Sequence, residues 1–365
     1  FFFKQKTAYE IVSRDWSSDV CSSDLPQSLR NRDNSLEPMR LMEELARKND
    51  ISLHTADVNA LNGISPDFSL YVESVDFVPC GAKKHFLILY ETSLTVPRNA
   101  DVQYLDQFDA IFTWDKELLS GGLQNERGLR ISPERFIKIQ YPNPRPAECG
   151  SDFYSVPFEG RSDFICLIGS NRHANAFDKR ELYSERVRAI KWFEEYAIDD
   201  FKLYGNGWRV PQKRLGRLGK LRYRTEKILP FLLNKPVFPS YQGPAKTKYE
   251  VLSKTKFCIC YENARDLDGY ITEKIFDCFF AGCVPIYWGD ANIGESVPVE
   301  CFIDFRQFSS YEDLYRFLKG LSPAQFSDYQ QAAREFLMSD RFLLFSSENF
   351  ARTVVNQIKN EFSLV

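Results

Sequence analysis

The sequence predicts two α/β domains, each built on a parallel sheet with helices on its faces. Three observations predict it. Short apolar runs alternate with longer segments of helical period along the chain. Several of those runs are apolar almost throughout, as strands buried on both faces must be. A Pro-rich stretch with little periodicity, "YPNPRPAECGSDFYSVPFEG" (141–160), divides the pattern in two and reads as an interdomain linker. Two domains on such a hinge imply a cleft, and ligands of such sheets bind outside the carboxyl ends of the strands.

Residues 1–25, "FFFKQKTAYEIVSRDWSSDVCSSDL", carry no clean period and resemble translated read-through of a sequencing adapter. They are expected to be a non-native leader and are set aside, Cys21 with them. The expected organisation is a first domain over 26–145, a linker over 146–160, a second domain over 161–345 and a C-terminal helix over 346–365.

In the first domain, Leu36, Met39, Met42, Leu45 and Ala46 share a helix face, and Asn49-Asp50 stops the helix. "ISLHTA" (51–56), "DFSLYVE" (67–73), "KHFLILYE" (84–91) and "FDAIFTWD" (108–115) read as strands. Residues 26–34 are polar and supply no strand ahead of the first helix, so the domain is expected to lack its first strand.

In the second domain, "DFICLIGSN" (163–171) is a buried strand and 179–197 a helix with Leu182, Val187, Ile190 and Phe193 inward. "DFKLYGNGW" (200–208) is a strand running into a Gly turn. A helix (246–255) and the strand "KFCICYEN" (256–263) follow. Ile275, Phe276, Phe279 and Phe280 mark a helix over 272–281, with Gly282 at its C′ position. "CVPIYWG" (283–289) is the next strand. Ser309-Ser310-Tyr311-Glu312 and Ser322-Pro323-Ala324-Gln325 open helices with capping signals, and the last helix covers 346–360.

Composition excludes some functions. The formal net charge is −3, which argues against nucleic-acid binding as the main task. One basic run, Lys213, Arg214, Arg217, Lys220, Arg222, Arg224 and Lys227, reads as a solvated face or as a contact for an anionic acceptor or membrane surface. The nine cysteines form no CxxC pair, and several lie in apolar runs, which points to reduced buried thiols and a cytoplasmic chain. Three histidines without paired spacing give no basis for a zinc site or a Ser-His-Asp triad. No run reaches the roughly 20 apolar residues of a membrane span.

The stretch "YENARDLDGYITEKIFDCFFAGCVPIYWG" (261–289) concentrates polar groups between a strand and the start of an apolar helix. A helix N-terminus offers unpaired N–H groups and partial positive charge, and Lys274 in the first turn adds a full one. That combination suits a diphosphate. Glu273 accepts hydrogen bonds from vicinal sugar hydroxyls, Tyr270 stacks on or donates to a ligand ring, and Asn263 both donates and accepts. The Gly-x-Gly-x-x-Gly pattern of a dinucleotide fold is absent. Asp266-Leu267-Asp268 has the form of an Asp-x-Asp metal motif, a weak three-residue signal.

Tyr261-Glu262-Asn263, Gly269-Tyr270-Ile271-Thr272-Glu273-Lys274-Ile275 and Ala281-Gly282-x-Val284-Pro285-Ile286-Tyr287-Trp288-Gly289 resemble the donor-binding signature of the family 10 glycosyltransferases, the α-1,3/1,4-fucosyltransferases. "IGSN" (168–171), "LYSERVRAI" (182–190), "LYGNGW" (203–208) and "KTKFCICYEN" (254–263) extend the resemblance over roughly residues 80–345. It implies a GT-B fold, two Rossmann-like domains facing each other across a cleft, with donor in the C-terminal and acceptor in the N-terminal domain. It implies GDP-fucose as donor, a glycan hydroxyl as acceptor (a lipopolysaccharide O-chain fits a bacterial chain), and transfer with inversion. Carried over, Asn263, Tyr270, Glu273 and Lys274 contact the nucleotide-sugar. Arg186 matches the family's Arg on the first helix of the donor domain, with Arg180 as the fallback. Glu91, at the end of "HFLILYE", is the general base; "TSLTV" before Pro97 departs from the family pattern. Asp109 and Asp115 are weaker choices. No cofactor or essential metal is expected, a divalent ion acting at most as a stimulant. Two other readings remain open: a GT-B transferase with another nucleotide-sugar, and an inactive glycan- or nucleotide-binding homologue.

Overall fold

The computed structural model describes residues 29–54, 59, 62, 63, 65–73, 81–153, 156–232 and 236–363. The expected leader and Cys80 lie outside them. The chain forms two compact units. The first takes the residues up to Pro144 with Asp268–Tyr270 and Leu343–Val365; the second takes Arg145–Leu267 and Ile271–Phe342. The linker stretch after Arg145 is therefore part of the second unit, and the C-terminal helix returns to the first.

The first unit holds α1 (Glu37–Arg47), β1 (Phe68–Val72), β2 (Lys84–Leu89), α2 (Val102–Leu105), β3 (Ala110–Thr113), α3 (Lys116–Gly121), a small antiparallel ribbon of β4 (Leu123–Gln124) and β5 (Arg130–Ile131), and β6 (Phe136–Lys138). Its main sheet runs β1-β2-β3-β6 and is parallel throughout. The strand period of two decides its cores. Leu70, Val72, Phe86, Ile88, Ala110 and Phe112 face α1 and the C-terminal helix (Ser347–Ser363). Tyr71, Leu87, Leu89 and Ile111 face α2 on the other side.

The strand expected at 51–56 is not formed over its described part, 51–54. The Ile51 N–H instead donates to the Ala46 carbonyl (3.0 Å), closing the end of α1. Asp50, at φ 59°, makes that turn.

The second unit holds β7 (Asp163–Ile168), α4 (Tyr183–Tyr196), β8 (Phe201–Tyr204), α5 (Gly216–Leu232), α6 (Lys248–Leu252), β9 (Thr255–Tyr261), α7 (Glu273–Phe280), β10 (Val284–Trp288), β11 (Ile303–Asp304), α8 (Tyr311–Gly320), α9 (Pro323–Leu337) and α10 (Asp340–Leu343). Its sheet runs β11-β10-β9-β7-β8, again all parallel. One face packs Ile165, Leu167, Phe257, Ile259, Val284 and Ile286 with residues of α4, α8 and α9. The other packs Cys166, Cys258 and Cys260 with Cys278 and Cys283. The seven described cysteines are free and buried. Burial pushes the Cys260 and Cys278 thiols up, so they pack as small apolar groups. α9 starts with a full capping box between Ser322 and Gln325. Among the described residues no helix is long and apolar enough to cross a membrane.

Arg161, 2% exposed, ties this unit together. Its guanidinium donates to the carbonyls of Val156 (2.8 Å), Leu252 (2.9 Å), Thr255 (2.7 Å) and Ala281 (2.8 Å). Those carbonyls belong to the approach to β7, the end of α6, the start of β9 and the end of α7. A buried carbonyl without a donor is costly, so one side chain satisfies what the ends of three elements leave open. Arg161→Met is expected to lower the unfolding free energy by about 4 kcal/mol. Urea denaturation measures this; a loss within the ordinary surface range, about 0.5 kcal/mol, would contradict it.

Candidate functional site

The second unit's site grows from the register of β9 and β10, in which Tyr261 pairs with Trp288. Both strands stop together, and the Glu262 N–H extends the ladder to the Trp288 carbonyl (2.8 Å). Glu262 is wholly buried. A carboxylate so placed needs donors. It takes them from the loop that follows: Thr272 N–H (2.9 Å), Thr272 Oγ1 (2.8 Å) and Lys274 Nζ (3.1 Å). Lys274 Nζ also donates to Thr272 Oγ1 (2.8 Å). Glu262 thus folds the entrance of α7 back onto the end of β9 and orients the lysine.

Glu273 opens α7 and lies 3.6 Å from Lys248 Nζ and 3.8 Å from Lys274 Nζ. Burial would raise its carboxyl, but Lys274 and Lys248 outweigh that and pull it down to about 2. Lys248 also binds Asp277 (2.7 Å). The local charge is therefore net negative rather than positive: two lysines face the three carboxylates of Glu262, Glu273 and Asp277. Arg186, on α4 and 7% exposed, donates to the Tyr261 carbonyl (2.7 and 3.2 Å) and to Asn263 Oδ1 (3.0 Å). Arg186 and Asn263 are thus brought together, and Glu273 and Lys274 form a second cluster.

The "IGSN" and "LYGNGW" turns meet at the carboxyl ends of β7 and β8. Gly205, at φ 125°, passes so close that a Cβ there would sit 2.0 Å from the Gly169 carbonyl oxygen. Trp208 Nε1 donates to that same oxygen (2.6 Å), and the Asn171 N–H donates to Asn206 (2.8 Å). Only glycine fits at 205.

Tyr270 and Glu91 meet in the first unit: the Tyr270 hydroxyl donates to the Glu91 carboxylate (3.2 Å). Tyr270 is 1% exposed, and its ring lies 4.7 Å from that of Trp114. Gly269 allows the approach; at φ 93°, a Cβ would lie 2.5 Å from the Trp114 carbonyl oxygen. Asp268 pairs with Lys116 at 2.7 Å. Glu91 follows β2, and Glu73 follows β1 at the same edge of the sheet, because Val72 pairs with Ile88. Glu73 is 5% exposed. It accepts from the N–H groups of Tyr90 and Glu91 and from Asn99. Burial first, then the Glu91 charge, raise its carboxyl to about 7 against the lowering effect of those donors.

The alternatives have other employment. Asp109 lies at the opposite, amino end of β3, where it binds Lys84 (3.1 Å) and the His85 N–H (2.7 Å). Asp115 caps α3 through the Glu117 and Leu118 N–H groups. Arg180 pairs with Asp178 (2.9 Å). Asp266, at φ 57°, lies 3.7 Å from Arg265. In the basic run, Arg214 and Arg222 both bind Glu226, at 3.1 and 3.0 Å.

Sequence reasoning missed Glu73, Asn99, Lys248 and Thr272 as parts of these clusters, and gave Glu262 no role of its own. For Glu73 a signal existed: a lone carboxylate directly after the four-residue run "SLYV", just as Glu91 follows "FLILY".

Each unit is thus built on an all-parallel main sheet with polar groups at its strand ends. Residues 223–347, about a third of the chain, match the model described as glycosyltransferase family 10 (fucosyltransferase) C-term. The chain resembles an α-(1,3)-fucosyltransferase of Helicobacter pylori, 36% identical over 76 residues, 21% of this chain and 16% of that one. It also resembles an α-(1,4)-fucosyltransferase of Arabidopsis thaliana, 35% identical over 91 residues, 24% and 22% of the two chains. A crystal structure of an α1,3-fucosyltransferase with GDP-fucose superposes at TM-score 0.43 and 14% identity, covering 91% of this chain and 86% of that one. The matched segments span about a fifth of the length of these curated relatives. Residues 223–347 thus resemble the C-terminal domain of the family 10 glycosyltransferases.

Glu273 gives a pH prediction. Its carboxyl is depressed in the folded state, so its contribution is present above the unfolded value of about 4.5 and is lost as pH falls toward 2. Over that window the wild type is expected to lose about 2 kcal/mol relative to Glu273→Gln, allowing for the 29% of the side chain that solvent reaches. Parallel stability curves for the two proteins between pH 5 and 2 would exclude the Lys248–Glu273–Lys274 cluster as the cause.

Proposed function

We propose that this protein is an inverting fucosyltransferase that moves L-fucose from GDP-fucose to a hydroxyl of a glycan acceptor. The observation that carries the reading is Lys274, held by Glu262 and Thr272 at the start of α7 inside the segment that matches the family model. A cation fixed at a helix N-terminus suits a leaving nucleoside diphosphate. Arg186, through its planar fork, serves the same anion. Glu273, held ionised, accepts from ribose or sugar hydroxyls, and Asn263, oriented by Arg186, supplies a donor. The names of the relatives favour fucose over other sugars.

The chemistry is one displacement. The acceptor oxygen bonds to the anomeric carbon as the bond from that carbon to the diphosphate oxygen breaks. GDP leaves with the electron pair, and the acceptor proton goes to the Glu91 carboxylate. Tyr270, donating to Glu91, fixes the direction of that carboxylate. The leaving group is neutralised by Lys274, Arg186 and the α7 N-terminus, so no metal is required; activity is expected to persist in chelator. An α-1,3 or α-1,4 linkage to a surface glycan such as a lipopolysaccharide O-chain, made at the cytoplasmic membrane face with the basic run as contact, completes the reading.

Product analysis with GDP-fucose and a small acceptor panel, beside titrations with other nucleotide-sugars, tests it. Tighter binding of another donor would shift the reading to a different GT-B transferase. GDP binding without transfer to any acceptor would favour an inactive homologue. Glu91→Gln is expected to lower kcat by at least about 100-fold with the Kd for GDP unchanged. Lys274→Ala is expected to raise that Kd by about 10-fold. Near-normal turnover by Glu91→Gln would remove Glu91 from the mechanism.

A further inference from the structure

We infer that Glu73 is a positioning residue for Glu91, acting with Asn99 as a clamp on the main chain that carries the catalytic carboxylate. This rests on the reading of Glu91 as the general base. Glu73 turns back at φ 63°, a conformation uncommon for a residue with a side chain. The turn is held because the Glu73 N–H continues the ladder to the Ile88 carbonyl (2.8 Å). Its carboxylate is thereby directed at the loop after β2. One oxygen accepts from both Tyr90 N–H and Glu91 N–H, the latter at 2.7 Å. The other accepts from Asn99 Nδ2 at 3.1 Å. The same Asn99 nitrogen donates to the Glu91 carbonyl at 2.7 Å. Both main-chain polar groups of Glu91 are thus held by one buried unit, and Trp114 Nε1 holds the preceding carbonyl, that of Tyr90 (2.8 Å).

A fold in need of donors and acceptors here would be served by an amide. A second carboxylate beside Glu91 is an expensive choice, since burial and the Glu91 charge both oppose its ionisation. All of the partners named are donors, which only the carboxylate satisfies on both oxygens. The clamp fixes the main chain from which the Glu91 side chain projects, and a misplacement of about 1 Å costs up to 100-fold in rate.

The experiment is a double-mutant cycle on kcat, with the Kd for GDP and the thermal midpoint recorded for each protein. Glu73→Gln is expected to lower kcat by about 10-fold or more and leave the Kd for GDP unchanged. In a Glu91→Gln background it is expected to lower the residual turnover no further, because the group it positions is already gone. A merely structural Glu73 would reduce residual turnover by the same factor in both backgrounds, and that result overturns the inference. Asn99→Ala carries the same test if Glu73→Gln does not fold: a kcat at the wild-type level sinks the clamp. The two readings fail separately. An active Glu91→Gln removes the base, whereas an inactive Glu91→Gln beside a fully active Glu73→Gln removes only the clamp.

Discussion

Parallel pairing with both faces covered is the constraint on which everything else in this protein rests. A sheet buried on both sides admits almost no polar side chain along its strands. β2 and β9 obey: their interiors read Phe-Leu-Ile-Leu and Phe-Cys-Ile-Cys. Polar groups are displaced to the strand ends, and parallel pairing gathers all the carboxyl ends on one edge. Val72 opposite Ile88 makes neighbours of Glu73 and the Tyr90-Glu91 pair; Tyr261 opposite Trp288 aligns Glu262 and Asn263 with the turn after β10. The chemistry of each unit is a consequence of register.

That edge is also where electrostatics is least forgiving. Glu262 and Glu73 are both buried carboxylates just past a strand, yet they are stabilised differently. Glu262 has a cation, Lys274, and the hydroxyl and N–H of Thr272. Glu73 is held by amide donors and faces a second carboxylate. The first arrangement orients a lysine and closes the loop onto α7. The second leaves a carboxyl that titrates near neutrality beside Glu91. Two similar residues in equivalent places thus do different work because of what stands opposite them.

Much of the fold was legible because long-range order here follows local pattern. Continuous apolar runs marked the strands, and the Phe276–Phe280 spacing and Gly282 marked α7 closely. The failures have local causes as well. "ISLHTA" has strand composition, but its first N–H is spent on the end of α1. The C-terminal helix follows the second unit in sequence, yet its Phe350, Val354 and Ile358 complete the first unit's core, which no periodicity can reveal. Of the candidate site residues, Glu91, Asn263, Glu273 and Lys274 stood out as polar groups at element ends, whereas Arg186 was matched through the family resemblance alone. Their partners did not: Lys248 meets Glu273 from another helix and Asn99 meets Glu91 from another loop, and sequence distance hides both.

Tyr270 shows why a motif residue acquires meaning only in three dimensions. Read in the chain, it belongs to the loop before α7 and to the same ligand as Lys274. In the structure, Asp268–Tyr270 group with the first unit, where Asp268 pairs with Lys116 and Gly269 lets the backbone lie against Trp114. The tyrosine ring is then committed to Trp114 and its hydroxyl to Glu91. Both the ring and the hydroxyl of this loop residue are thus engaged by side chains far from it in sequence. The loop from Glu262 to Lys274 therefore carries two separate sets of contacts: Glu262 with Thr272 and Lys274, and Gly269-Tyr270 with Trp114 and Glu91.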